Sequence, residues 1–259
     1  MHAAGFIQGC SAVHQSGRYS ARGGHAAWEQ NQQGPLDVQR KQVYEQPLPE
    51  FGKLQCADKL AFSAAAMLFG ELSGIDRTDF GICLGTVYGS LSTDIRYMES
   101  LVAGYPRPAY FSATLPSSPV AEVAIRFGIK GPNRVVCGGA CPGLSALDCA
   151  FGILRKNKAP AALVMAINAL EAADRSSALI GPAQFTEPYA YALLISAGRW
   201  EKGLNRRFVF EGEFHDRGMT LAGDESYFLD MILAIILRRQ CRIAVESAGF
   251  EGSLSIEKD

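Results

Sequence analysis

Apolar positions along this chain fall into two kinds of run. Short, nearly continuous runs read as buried strands: AAGFIQGCSAV (3–13), DFGICLG (79–85), RVVCG (134–138), AALVMAIN (161–168) and YAYALLISA (189–197). Longer runs between them carry helical spacing. ADKLAFSAAAMLFGEL (57–72) is rich in Ala and Leu with no breaker before Gly70, which predicts a helix with Asp58 as its N-cap. SLSTDIRYMESLVAG (90–104) predicts a second helix, closed by Gly104 and Pro106. SPVAEVAIRFG (118–128) predicts a third, with Pro119 near its first turn, and PGLSALDCAFGILRKN (142–157) a fourth that starts at Pro142. Strands and helices alternate, which predicts an α/β layered sheet.

Two regions break this rhythm. Residues 14–55 are polar, rich in Gln and Gly and weakly periodic; they read as a long surface loop with one helical turn. The C-terminal part holds an amphipathic to fully apolar stretch, DESYFLDMILAIILRRQ (224–240), expected to be helical. It is followed by CRIAVES and SLSIEK around AGFEG, which read as a hairpin. The expected organisation is a domain over 1–200, including the loop 14–55, and a tail over 201–259, helix plus hairpin, packed on it.

Composition narrows the function classes. The chain has 259 residues, 48% of them hydrophobic, and a formal net charge of −1 with both signs interspersed. That supports a sizeable core and offers neither a nucleic-acid track nor a membrane-binding basic face. The seven cysteines lack paired C-x-x-C spacing and lie mostly in apolar runs, so neither a metal site nor a disulfide framework is expected. No secretory signal is evident, and MILAIIL (231–237) is too short to span a bilayer, so a cytoplasmic protein with reduced thiols is expected.

The stretch with chemical promise is GGACPGLSAL (138–147), where a strand turns sharply into a helix. If Pro142 opens the helix, Cys141 sits at the N-cap, where the helix dipole depresses a thiol pKa. Cys141 is therefore a candidate nucleophile; the alternative is a small packed residue. Cys137 and Cys149 are expected to pack. The four histidines, His2, His14, His25 and His215, lie in no recognisable motif and read as loop or surface residues. GTVYGS (85–90) lacks the P-loop Lys and the dinucleotide fingerprint, and reads as a tight turn. The helix 142–157 is apolar nearly all round, so it must be covered on more than one side.

The ordered landmarks GICLGTVYGSL, ATLPSS with VAIRFGIKGPN, GACPGLSAL and AALVMAIN resemble the N-terminal half of the β-ketoacyl synthases, the condensing enzymes of fatty-acid and polyketide synthesis. The resemblance runs from Phe80 to about Ala197. It implies a thiolase-like half-fold, a layered mixed sheet with helices, to which the C-terminal helix and hairpin are added. Carrying the family's spacing forward from Gly131, Pro132 and Asn133 places Ala140 at the nucleophile position and Cys141 one residue late. No catalytic histidine pair has a counterpart here.

This departure is similar to the chain-length factors, which keep the synthase fold and lose the nucleophile, and to the short ketosynthase-like proteins of aryl-polyene-type clusters. The resemblance implies a non-catalytic subunit that assists a ketosynthase in acyl-chain elongation, as a heterodimer or a homodimer. Phe111, Thr114 and Leu115 would shape an acyl pocket at the interface. It implies no bound cofactor; the acyl chain would arrive on the phosphopantetheine of an acyl carrier protein. It further implies that sheets join edge to edge through the strand 161–168, and that the missing half of the synthase must be replaced by the tail, a second copy or a partner. The competing readings are an acyltransferase or thioesterase-like enzyme using Cys141, and a scaffold that binds acyl carrier protein.

Overall fold

The apolar runs become the middle of one sheet. The computed structural model describes residues 2–15, 17–27, 36–137, 142–170, 188–201, 203–214, 241–247 and 250–256. Its elements, in chain order, are β1 (His2–His14), β2 (Gly17–Ser20), β3 (Gly24–Ala26), α1 (Arg40–Val43), a 3-10 turn (Pro49–Lys53), α2 (Cys56–Glu71), β4 (Gly81–Thr86), α3 (Leu91–Val102), α4 (Pro108–Phe111), α5 (Ser118–Phe127), β5 (Asn133–Cys137), α6 (Pro142–Arg155), β6 (Ala161–Asn168), β7 (Tyr189–Ser196), β8 (Arg206–Phe214), β9 (Cys241–Ser247) and β10 (Phe250–Ile256).

The strands lie in the order β5-β4-β6-β7-β1-β8-β10-β9, with β2 added beside β1 and β3 beside β2. β5, β4 and β6 are parallel to one another; the remaining pairings are antiparallel. The sheet is mixed, as expected. β6 and β7 are buried at every position, because helices cover both faces here. α6 covers one face, packing into a core with Ile7, Cys83, Val164, Tyr191 and Leu193. α2 and α5 cover the other, with Leu60, Phe62, Leu68, Val120 and Val123 packed on Ile82, Leu163 and Leu194. A bulge in β1 between Ile7 and Gly9 lets both Ile7 and Cys10 face α6. On the opposite face Ser11 Oγ donates to the Ala64 carbonyl of α2 at 2.6 Å.

The four helices expected between 57 and 157 are present, and α5 closes at Gly128, whose φ of 69° is the left-handed conformation that glycine adopts without strain. Several expectations are corrected. Asp58 does not cap α2: the N-cap is Gln55, and Asp58 lies buried inside the first turn. The region 14–55 is not one loop, since β2 and β3 form a hairpin on β1 and α1 and a 3-10 turn follow. Pro108–Phe111 is a short helix, and β8 is a strand the pattern does not announce. The hairpin of the tail is present as β9 and β10, although its second strand begins at Phe250, inside the expected turn; the expected helix 224–240 lies outside the described residues.

The strand 161–168 cannot join sheets edge to edge. β6 is flanked on both sides, by β4 and β7, so its backbone groups are already paired. The edge on this side of the sheet is β5. α6 takes one cover from the tail, through β8: Phe208 lies fully buried with its ring 5.2 Å from that of Phe151.

Candidate functional site

The parallel strands β4, β5 and β6 end at one side of the sheet, and α6 begins there. Thr86 pairs with Cys137 on one flank and with Ile167 on the other. Residues 138–141, Ala140 and Cys141 among them, join Cys137 to Pro142 and lie outside the described residues. The first turn of α6 presses directly on β4. A Cβ on Gly85 would stand 2.1 Å from the Pro142 carbonyl oxygen, so only glycine admits the helix at this depth. GTVYGS is thus a seat for the elbow helix. Its Thr86 Oγ1 accepts from the Gly89 N–H at 3.0 Å.

The same end of the sheet carries a polar row. Asn168 at the end of β6 pairs with Tyr189, which pairs with His14 at the end of β1. Asn168 is buried, and its Oδ1 accepts from the Leu170 N–H at 3.1 Å. Tyr189 and Tyr191 stack with ring centres 4.5 Å apart, and His25 lies 4.5 Å from Tyr19. His2, His14 and His25 are therefore strand residues and not loop residues; His215 lies outside the described residues. The signal for His14 was available only in the sheet order, since the strand that brings it there pairs with residues far away in sequence.

Phe111, Thr114 and Leu115 sit beside this end. Phe111 is 62% and Leu115 63% exposed, so they face solvent; Thr114 is half-buried. Ser90 Oγ donates to the Thr114 carbonyl, and Thr114 Oγ1 donates to the Phe111 carbonyl at 2.8 Å. Phe111 leans on Tyr97, with ring centres 5.4 Å apart. Met98, Leu101, Val102 and Tyr105 of α3 and its C-terminal turn are exposed as well. Pro116 and Cys137 both approach Gly89, which places the loop next to the end of β5.

β5 itself is open. The Pro132 carbonyl accepts from the Ile82 N–H at 2.9 Å. In a parallel ladder the alternate residues Arg134 and Val136 then also face β4, and Asn133, Val135 and Cys137 turn their backbone groups outward. Cys137, expected to pack, is exposed because its strand is an edge. Cys149 is half-buried against the α6 core, as expected.

None of the perturbed thiols is activated. Burial pushes Cys83 up to about 12 and raises Cys10 further, and desolvation holds Cys137 and Cys149 above the ordinary thiol value. These groups are neutral near pH 7 and poor nucleophiles. Among the described residues no cluster of His, Cys, Asp and Glu is placed to hold a metal ion, and no helix is long and apolar enough to cross a membrane.

Residues 55–182 match the family described as beta-ketoacyl synthase, N-terminal domain. No curated protein matches the chain. Solved structures do. A ketosynthase in complex with its chain length factor from Xenorhabdus doucetiae is 12% identical with a TM-score of 0.66, over 96% of this chain and 99% of that one. The ishigamide ketosynthase/chain length factor is 16% identical with a TM-score of 0.70, over 98% and 99%. A type II polyketide synthase acyl-carrier protein in complex with its ketosynthase bound to the hexaketide is 12% identical with a TM-score of 0.70, over all of both chains. Residues 55–182 thus carry the match to the synthase N-terminal domain, and the fold is that of the ketosynthase and chain-length-factor structures. The similarity extends over essentially the whole of each of these chains.

Proposed function

We propose that this chain is the non-catalytic, chain-length-factor-like subunit of a ketosynthase pair in polyketide or fatty-acid synthesis of the aryl-polyene type. The observation that carries this reading is that β5 ends the sheet among the described residues, with its Cys137 and the Pro116 that follows the exposed Leu115 both approaching Gly89. An unpaired edge beside an apolar patch is a template for another sheet and a liability if left free. The partner's sheet pairs with β5, and Phe111, Thr114 and Leu115 close one wall of the acyl pocket at the junction.

Condensation needs a thiolate to hold the acyl chain and two imidazoles to support decarboxylation and the oxyanion. With Ala140 in the nucleophile position this chain forms no thioester. The growing chain stays on the partner, delivered on the phosphopantetheine of an acyl carrier protein, and this subunit limits its length by the shape of the shared wall.

Co-expression with the ketosynthases of its own host tests the reading. A stable complex should form, and malonyl and acyl thioesters should condense only when the partner is present. Condensation by this chain alone, lost in Cys141→Ala, overturns it. A second reading, acyl transfer through Cys141, is favoured by His14 standing at the end of the sheet where α6 begins. Stoichiometric labelling of Cys141 by iodoacetamide at neutral pH, suppressed by His14→Ala, would support that alternative.

A further inference from the structure

A cleft of about 620 Å³ opens on the far side of α2 from the sheet, between α1, the C-terminal half of α2 and the end of α5. Its size is that of a small-molecule site. The walls are largely aromatic. Phe127 stacks on Phe62 with ring centres 5.6 Å apart, Tyr44 meets Phe62 edge-on at 5.2 Å, and Phe69 lies 5.0 Å from Phe127. Tyr44, Phe69 and Phe127 present this cluster to the cleft, with Met67 beside them.

One cation on the wall is fixed in place but not neutralised. The Arg77 guanidinium lies over the Phe69 ring, 4.6 Å from its centre, and its Nη2 donates to the Phe69 and Leu72 carbonyls at 3.2 Å. Its Nε has no acceptor, and no carboxylate among the described residues forms a salt bridge with it. Burial pulls its pKa below the ordinary arginine value, which reflects the cost of holding this charge without a counter-ion. The second arginine on the cleft, Arg126, is already held by Glu50 and Glu122. Glu71 also lines the cleft, with its Oε1 accepting from the Arg22 and Gly23 N–H groups. The cleft thus has room for one negative charge, and its own carboxylates repel a multiply charged anion.

We propose that this cleft binds a singly charged aromatic carboxylate, with the carboxylate on Arg77 and the flat apolar body against the rings of Tyr44 and Phe127, which the buried Phe69 backs. The site is separate from the β5 edge, and the inference does not depend on the function proposed above. Gly70 provides a clean block. It lines the cleft, and a Cβ built on it meets nothing within 4 Å, so Gly70→Trp fills the space without disturbing the packing.

Calorimetric titration of the full chain with trans-cinnamate, and with neutral cinnamamide, tests the proposal. Saturable binding of cinnamate at one site is expected, with cinnamamide weaker by about tenfold or more. Gly70→Trp, with its thermal unfolding intact, should abolish binding, and Arg77→Gln should weaken it by about tenfold or more. Because Arg77 also caps α2, Arg77→Lys serves where the Gln variant fails to fold, and the amide comparison needs no variant at all. Equal affinity for the amide, unchanged binding in Gly70→Trp, displacement of cinnamate by inorganic phosphate, or no binding by the unaltered chain at about 10 mM, a Kd near the weak end of specific recognition, overturns the proposal.

Discussion

Asp58 shows how one carboxyl changes meaning between sequence and structure. Its place near the start of an apolar helix suggests a cap, yet it lies 6% exposed between α2 and α5. Desolvation pushes its pKa up to about 6, against a hydrogen bond from Ser118 and with Glu122 adding to the rise. The folded state therefore holds the proton more tightly than the unfolded chain, whose aspartate titrates near 3.8. This contribution to stability is complete below the unfolded value and is lost as pH rises through about 6. Asp58→Asn should remove that loss, so that between pH 4 and pH 7 the wild type falls by about 1–3 kcal/mol relative to the variant in denaturant titrations. A parallel pH profile for both proteins would show that Asp58 is not desolvated. Gly85 makes a complementary case. Gly85→Ala drives a Cβ into the Pro142 backbone, which cannot step aside, and should cost about 1–3 kcal/mol or more. Gly152→Ala, on the same helix α6 but facing open space, should instead stabilise by about 0.5–1 kcal/mol. Urea midpoints for the two variants that move in the same direction would contradict this account of how α6 is seated.

At the scale of elements, legibility followed locality. α2, α3, α5 and α6 declare themselves through spacing and closing glycines, and β4, β6 and β7 through apolar runs, because these signals reside in the segments themselves. β2, β3 and β8 do not. β8 (RRFVFEGEF) mixes charged and apolar residues, and its strand conformation comes from pairing with β1 and β10, both distant in sequence. The change from strand β5 to helix α6 at Pro142 was legible from the apolar run and the proline. The polar row of Asn168, Tyr189 and His14 was not, because sheet order assembles it. Nor was the exposure of Cys137, which follows from β5 lying at an edge, while the spacing rules do not say which strand ends a sheet. That edge yields a sharp prediction. Val135 turns its backbone groups outward, so Val135→Pro removes a donor from the free side and leaves the ladder to β4 whole. The variant should fold with a melting temperature close to wild type and lose partner binding, read by size-exclusion chromatography with light scattering. Retained complex formation would exclude β5 as the pairing edge.

For the molecule as a whole, the sheet is closed through β1. Its second half joins β7 and β2, and its first half joins β8. β2 follows within a few residues, but His14 pairs with Tyr189 and His2 with Glu211. A ribosome adding about 5–20 residues per second needs on the order of 10–35 s to bridge the interval between His14 and Tyr189. Throughout that time the apolar run GFIQGCSAV has one short neighbour and no α6-side core to enter, since the strand that completes its central pairing has not been made. Closing so large a loop delays the reward for the entropy spent, which places this chain among slow folders for its size. The placement of β1 inside the sheet thus makes the nascent chain's hazard one of timing: a greasy early segment must be sheltered until β7, about three-quarters of the way along these 259 residues, has been synthesised.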